Sequence, residues 1–129
     1  MEALYIEVGK CPRKVEIDGS LTSMQKLVGG FIECAYYFPD VVLVCNEEGM
    51  IQGMPFNRVI QKDGQALAAI CGNFFLCESD GDNLISISEQ NAEKYTKIFL
   101  HPEVLTKSGT NLYVMKLPVK GAPGQVLEI

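Results

Sequence analysis

VVLVCNEEGMIQGMPFN, residues 41–57, is the segment around which the rest of the chain is organised. Residues 41–45 are apolar without a break and run into Asn46-Glu47-Glu48-Gly49; Met50 and Ile51 then form a short apolar segment before Gly53, Pro55 and Asn57. An apolar run of this length bounded by turn residues reads as a buried strand. Asn46 suits the first position of a type I turn, Glu47 and Glu48 fit right-handed backbone, and Gly49 fits the left-handed position that closes a three-residue hairpin loop. The stretch therefore predicts a strand, a tight turn and a returning strand at Met50 and Ile51.

Toward the N-terminus, residues 4–8 and 14–17 alternate: Leu4, Ile6 and Val8 against Tyr5 and Glu7, then Val15 and Ile17 against Glu16. That is the period of a sheet with one covered face, and residues 9–12 supply the turn. Asp18 or Ser20 caps a helix on which Leu21, Met24, Leu27 and Val28 recur at helical spacing until Gly29 and Gly30 stop it. Gly30 also leaves room for a neighbouring backbone or ligand. The order strand, turn, strand, helix also begins a β-grasp fold. Residues 31–38 read as a further strand ending at Pro39 and Asp40.

Downstream, residues 57–65 read as an exposed loop around an Asp63-Gly64 turn. Residues 67–77 resume an apolar run interrupted at Gly72 and Asn73, and its second half reads as a strand. Residues 78–83 are an acidic turn. Ser86 or Ser88 then starts a second helix, with Ala92, Tyr95 and Phe99 on one face and a Glu93–Lys97 pair on the other, ending before His101 and Pro102. Residues 111–118 read as an alternating strand and 125–129 as a short one. The expectation is α+β: one domain over residues 1–129, a mixed or mostly antiparallel sheet of about five to seven strands, and two short helices.

With 129 residues and 47% hydrophobic content, the chain can bury a core without disulfides or metal. The net charge of −5 disfavours free nucleic acid and anionic membranes as partners. No apolar run reaches the roughly twenty residues that span a bilayer. The first ten residues carry Glu2 and Glu7 and do not resemble a secretory signal. Five cysteines, an odd number without a CxxC pair, suit a reduced, cytoplasmic chain.

Several blocks carry a resemblance: LVGGFIE (27–33), VCNEEG (44–49), Gly53, Asn57, GNFFL (72–76) and SEQNAEKYTKIF (88–99). In this order and spacing, residues 3–100 resemble the family known as domain of unknown function 3846, small proteins of gut bacteria, phages and other mobile elements. By that resemblance Gly29, Gly30, Glu33, Asn46, Glu47, Gly49, Gly53 and Asn57 correspond to the family pattern. Residues 1–102 form the family-like part and residues 103–129 a C-terminal extension with one or two strands. The resemblance implies no activity and no cofactor.

No residue spacing demands catalysis. GxGxxG, GxSxG and zinc-ligand spacings are absent, and the lone His101 sits at a helix boundary. Counting Glu78 as the first position of a calcium loop sets Asp80, Asp82, Ser86 and Glu89 at the third, fifth, ninth and twelfth, but the sixth is Asn83 where glycine is needed. A weak calcium site there is one alternative. A small enzyme using Glu33 or Glu47 as base, with Arg58 anchoring a polar or phosphorylated substrate, is another. The leading expectation is a non-catalytic module that binds a protein or small polar ligand through Glu33, Asn46, Glu47, Glu48, Asn57 and Arg58, because loops on a rigid sheet commonly carry function. A homodimer or strand-added complex through residues 112–117 is the third class.

Overall fold

The apolar run becomes β4 (Val42–Asn46), and all of it is buried because the strand lies inside a sheet covered on both faces. The computed structural model describes residues 1–128. Before β4 come β1 (Glu2–Ile6), β2 (Arg13–Glu16), α1 (Leu21–Val28) and β3 (Ile32–Ala35). After it come β5 (Phe56–Lys62), β6 (Gln65–Cys71), β7 (Phe74–Ser79), β8 (Leu84–Ile85) and α2 (Glu89–Ile98), then β9 (Glu103–Ser108), β10 (Asn111–Lys116) and β11 (Gln125–Glu128). The fold is α+β, and the strand pairings among the described residues are antiparallel.

The main sheet has the order β2-β1-β7-β4-β3, with β8 added to β7, so its six strands fall within the expected number. The N-terminal hairpin and helix are present, and β7 inserts between β1 and β4. β1 buries Ala3, Leu4, Tyr5 and Ile6 together, whereas alternation predicted one covered face. Its central position explains the difference. Ala3 and Tyr5 join Met24 and Val28 of α1 on one face, while Leu4 and Ile6 join Ile60, Tyr95 and Phe99 on the other.

Both helices begin and end as their chemistry dictates. Ser20 Oγ accepts the Ser23 N–H at 3.1 Å, and Gly29 takes the left-handed conformation (φ 77°) that ends α1. Ser88 caps α2, its Oγ accepting the Asn91 N–H at 3.2 Å, whereas Ser86 Oγ accepts the Glu2 N–H at 2.9 Å. Ala92, Tyr95 and Phe99 form the buried face, and Phe38 packs edge-on to Tyr95 with ring centroids 5.1 Å apart. No helix among the described residues is long and apolar enough to cross a membrane.

Four expectations are corrected. Met50 and Ile51 are not a returning strand: residues 47–53 form successive turns, closed by Glu48 C=O accepting the Gln52 N–H at 2.8 Å and Gly49 C=O accepting the Met54 N–H at 2.9 Å, and Ile51 is 85% exposed. Residues 57–65 are not an exposed loop. They form the buried strand β5 and its turn into β6, where Asp63 (φ 53°) and Gly64 (φ 79°) supply the left-handed pair a two-residue hairpin needs. The strand over residues 31–38 shrinks to β3, because residues 36–40 bend inward to seat Tyr37 and Phe38 against the core.

The fourth correction concerns the C-terminal part. β10 lies between β9, a strand the sequence reading missed, and β11, so residues 112–116 offer no free edge for pairing. The expected strand over 125–129 is present to Glu128; Ile129 lies outside the described residues. Glu103 ties this three-stranded sheet to β5 by accepting the Val59 N–H at 2.9 Å.

Candidate functional site

The six residues singled out in the sequence separate into two groups. Glu33, Asn46, Glu47 and Glu48 meet around a cleft of about 230 Å³ between β3–β4 of the main sheet, the 47–51 turns and β6. Asn57 and Arg58 do not reach it. Both are fully buried (0% exposed) where β5 passes under β1 and the end of α2.

Asn46 builds the cleft from the inside. Its side-chain amide donates to the Val28 carbonyl at the end of α1 (3.2 Å), and its Oδ1 accepts the Glu48 N–H (2.8 Å). One buried side chain thus fixes the helix end, the end of β4 and the turn that carries the two glutamates. A Cβ at Gly30 would lie 2.7 Å from Asn46 Nδ2, so the room foreseen at that glycine is filled by this amide. Gly49 is not left-handed as expected. Its requirement is closeness, since a Cβ there would stand 2.5 Å from the Cys71 carbonyl oxygen and push the turn away from β6.

The β3–β4 register places Glu33 opposite Cys45 and Ala35 opposite Leu43, on the face that looks toward β6. Cys45, Ala69 and Ile70 give the cleft an apolar floor, and Tyr37 adds an aromatic wall. Glu33, Glu47 and Glu48 are exposed at the rim, and the lining contains no Lys, Arg or His. Among the described residues none of these three carboxylates forms an ion pair, whereas Glu7, Glu16, Asp40, Glu89 and Glu93 each do. In two other clefts polar lining groups pair with each other: Lys14 with Glu89 at 2.5 Å, and Asn73 Nδ2 donating to Tyr5 Oη at 3.2 Å.

The unopposed negative charge acts on its neighbours. Burial, the Glu33 carboxylate and the nearby Cys34 together push the Cys45 thiol up to about 11, and burial raises Cys71. These are protonated thiols and not nucleophiles at neutral pH. All five cysteines are free. A brief maleimide pulse at pH 8 is expected to label the exposed Cys11 and to spare Cys45 and Cys77, whose thiols stand at about 11 and about 12. About one Cys45 thiol in a thousand is ionised at that pH, and burial blocks the reagent as well. Mass spectrometry of the labelled peptides checks this, and labelling of Cys45 as fast as Cys11 in folded protein would contradict it.

Arg58 cannot serve as the anion anchor of a catalytic site. Its Nη2 donates to the carbonyls of Lys10 (2.7 Å) and Phe99 (3.0 Å), its Nε to Phe99 (3.3 Å), and its Nη1 to Asn57 Oδ1 (2.8 Å). Asn57 Nδ2 donates in turn to the carbonyls of Ile6 and Gly72, both at 2.9 Å. The two residues are a polar clamp joining β1, β5, the bend before β7 and the end of α2. Burial draws the guanidinium pKa down, Glu103 opposes that, and burial pushes the Glu103 carboxyl up.

Two carboxylates of the acidic turn are engaged by nearby donors. Asp80 Oδ1 accepts the N–H groups of Asp82 (3.0 Å) and Asn83 (2.8 Å), while Glu78 Oε2 accepts from Ser88 N–H (2.6 Å) and Asn91 Nδ2 (3.0 Å). The strand β7 stands where a calcium loop needs an entering helix. Among the described residues no group of three or more His, Cys, Asp or Glu is placed to hold a metal ion.

Sequence reasoning did not find the apolar half of the cleft. Tyr37, Cys45 and residues 69–71 come together only through the β3–β4 register and the fold of β6 back over it, and no local pattern encodes either. A family model described as a domain of unknown function, DUF3846, matches residues 1–100, so β9–β11 lie beyond the match. No curated protein and no solved structure matches the chain.

Proposed function

The chain belongs to the DUF3846 family, a membership that names no chemistry, and from the cleft we propose that the protein is a non-catalytic binding module that seats basic side chains of a protein partner. The observation that carries this reading is the set of three carboxylates, Glu33, Glu47 and Glu48, around an apolar floor with no cation in the lining. A lysine or arginine suits such a site at both ends. Its methylene stem lies along Cys45, Ile70 and Tyr37, and its charged head reaches the carboxylates at the rim. The net charge of −5 favours the approach of a basic partner over longer range.

Titration of the isotope-labelled protein with a capped peptide alternating lysine and valine tests the location. Amide shifts are expected at Glu33, Cys45, residues 47–51 and residues 69–71, with β9–β11 unmoved. A peptide of glutamate and valine is expected to leave the spectrum unchanged. Shifts clustered elsewhere, or equal shifts from the acidic peptide, would overturn the proposal.

A further inference from the structure

The two ends of the main sheet are protected differently. At one end, β2 carries Arg13, Lys14 and Glu16, and each is engaged: Arg13 with Glu7 at 3.0 Å, Lys14 with Glu89 at 2.5 Å, Glu16 with the N-terminal ammonium at 2.7 Å. Charged edges of this kind resist further pairing. At the other end, β3 pairs only with β4 and has the sequence IECA, bracketed by Phe31 (72% exposed) and Tyr36 (73% exposed). Its single charge is Glu33, which belongs to the acidic cleft.

The register tells which backbone groups of β3 are available. Phe31 C=O accepts the Glu47 N–H at 2.9 Å, and the ladder continues with Ile32 opposite Asn46 and Glu33 opposite Cys45. Hydrogen-bonded and non-hydrogen-bonded pairs alternate in an antiparallel ladder, so Glu33 and Ala35 turn their N–H and C=O groups toward β4, while those of Ile32 and Cys34 point outward. An extended chain laid beside β3 meets these groups, and a residue of that chain opposite Glu33 stands within about 5.5 Å of it, Cβ to Cβ, on the cleft face.

We propose that β3 is a docking edge for an extended segment of another protein with basic residues at alternate positions, which adds as a further strand and sets a lysine or arginine opposite Glu33. The proposal rests on the reading of the cleft as a receptor for basic side chains and adds the partner's conformation to it. Main-chain hydrogen bonds at Ile32 and Cys34 supply affinity, and the carboxylates of Glu33, Glu47 and Glu48 select the side chains. Charge also decides against a second copy of this chain. Antiparallel pairing of β3 with its twin brings two Glu33 side chains together between two molecules of net charge −5.

The test uses the native protein and two peptides of equal charge: the capped lysine–valine peptide and its counterpart N-methylated at every residue, which cannot donate to a strand. The expected result is at least tenfold weaker binding of the methylated peptide, with hydrogen exchange at the Ile32 and Cys34 amides slowed at least tenfold by the unmethylated one. Equal affinity of the two peptides overturns strand addition while leaving the acidic cleft as the receptor. Failure of both to bind overturns the cleft reading and strand addition together. Protection of β6 amides in place of Ile32 and Cys34, or a dimer by light scattering that protects those amides without peptide, also overturns the proposal.

Discussion

Arg58→Met is expected to cost about 3–5 kcal/mol of folding stability, measured by urea denaturation. Methionine keeps much of the volume but donates nothing, so the buried Phe99 carbonyl and Asn57 Oδ1, and the part-buried Lys10 carbonyl, lose their donor. Glu103, buried nearby, keeps the Val59 N–H and Lys116 but loses one of the cations that offset its burial. Against a total stability of about 5–15 kcal/mol for a domain of this size, such a loss removes about a fifth or more of what holds the chain folded. Arg58→Lys restores the charge but not the planar fork that reaches three acceptors, and it is expected to recover only part of the loss. A midpoint for Arg58→Met unchanged from the native chain would show that the clamp contributes nothing.

That expectation runs against the surface role that Arg58 suggested in the sequence. In residues 57–62, NRVIQK, polar and apolar residues mix, which reads as a loop. In the fold Asn57, Arg58, Val59 and Ile60 are all buried, because β1 and the end of α2 converge on β5 and supply carbonyl acceptors for its polar side chains, while Glu103 of β9 accepts the Val59 N–H. Local pattern carries no information about acceptors that arrive from residues 6, 10 and 99. The same distance hides the cleft floor, since Cys71 reaches Gly49 only after the chain has passed through β5 and β6.

What was legible has equally physical grounds. The apolar run 41–45 needs nothing beyond burial to be recognised, and both helices announce themselves through caps and apolar spacing. The polar turn after β4 was legible as a turn. Its return was not, because Met50 and Ile51 look like strand residues, and only their high exposure shows that they do not pair. Glu33, Glu47 and Glu48 were visible as exposed charge; that nothing neutralises them emerges only when the lining of the cleft is assembled.

In the proposed function, Glu33, Glu47 and Glu48 hold a basic partner. Replacing them together, Glu33→Gln, Glu47→Gln and Glu48→Gln, removes three negative charges and keeps size and hydrogen-bonding capacity. All three side chains are exposed, and the buried Asn46 that shapes the turn is left in place, so the fold is expected to survive. Single exposed ion pairs contribute little, but three carboxylates facing one apolar-floored cleft act on the same ligand, and their joint removal is expected to weaken a basic peptide at least about tenfold at low ionic strength. Added salt is expected to narrow that gap by screening the native site. The direct measurement is the fluorescence anisotropy titration of the capped lysine–valine peptide with the native chain and with this triple variant. The predicted result is saturable binding by the native chain and at least a tenfold higher Kd for the variant; identical curves for the two proteins would contradict it.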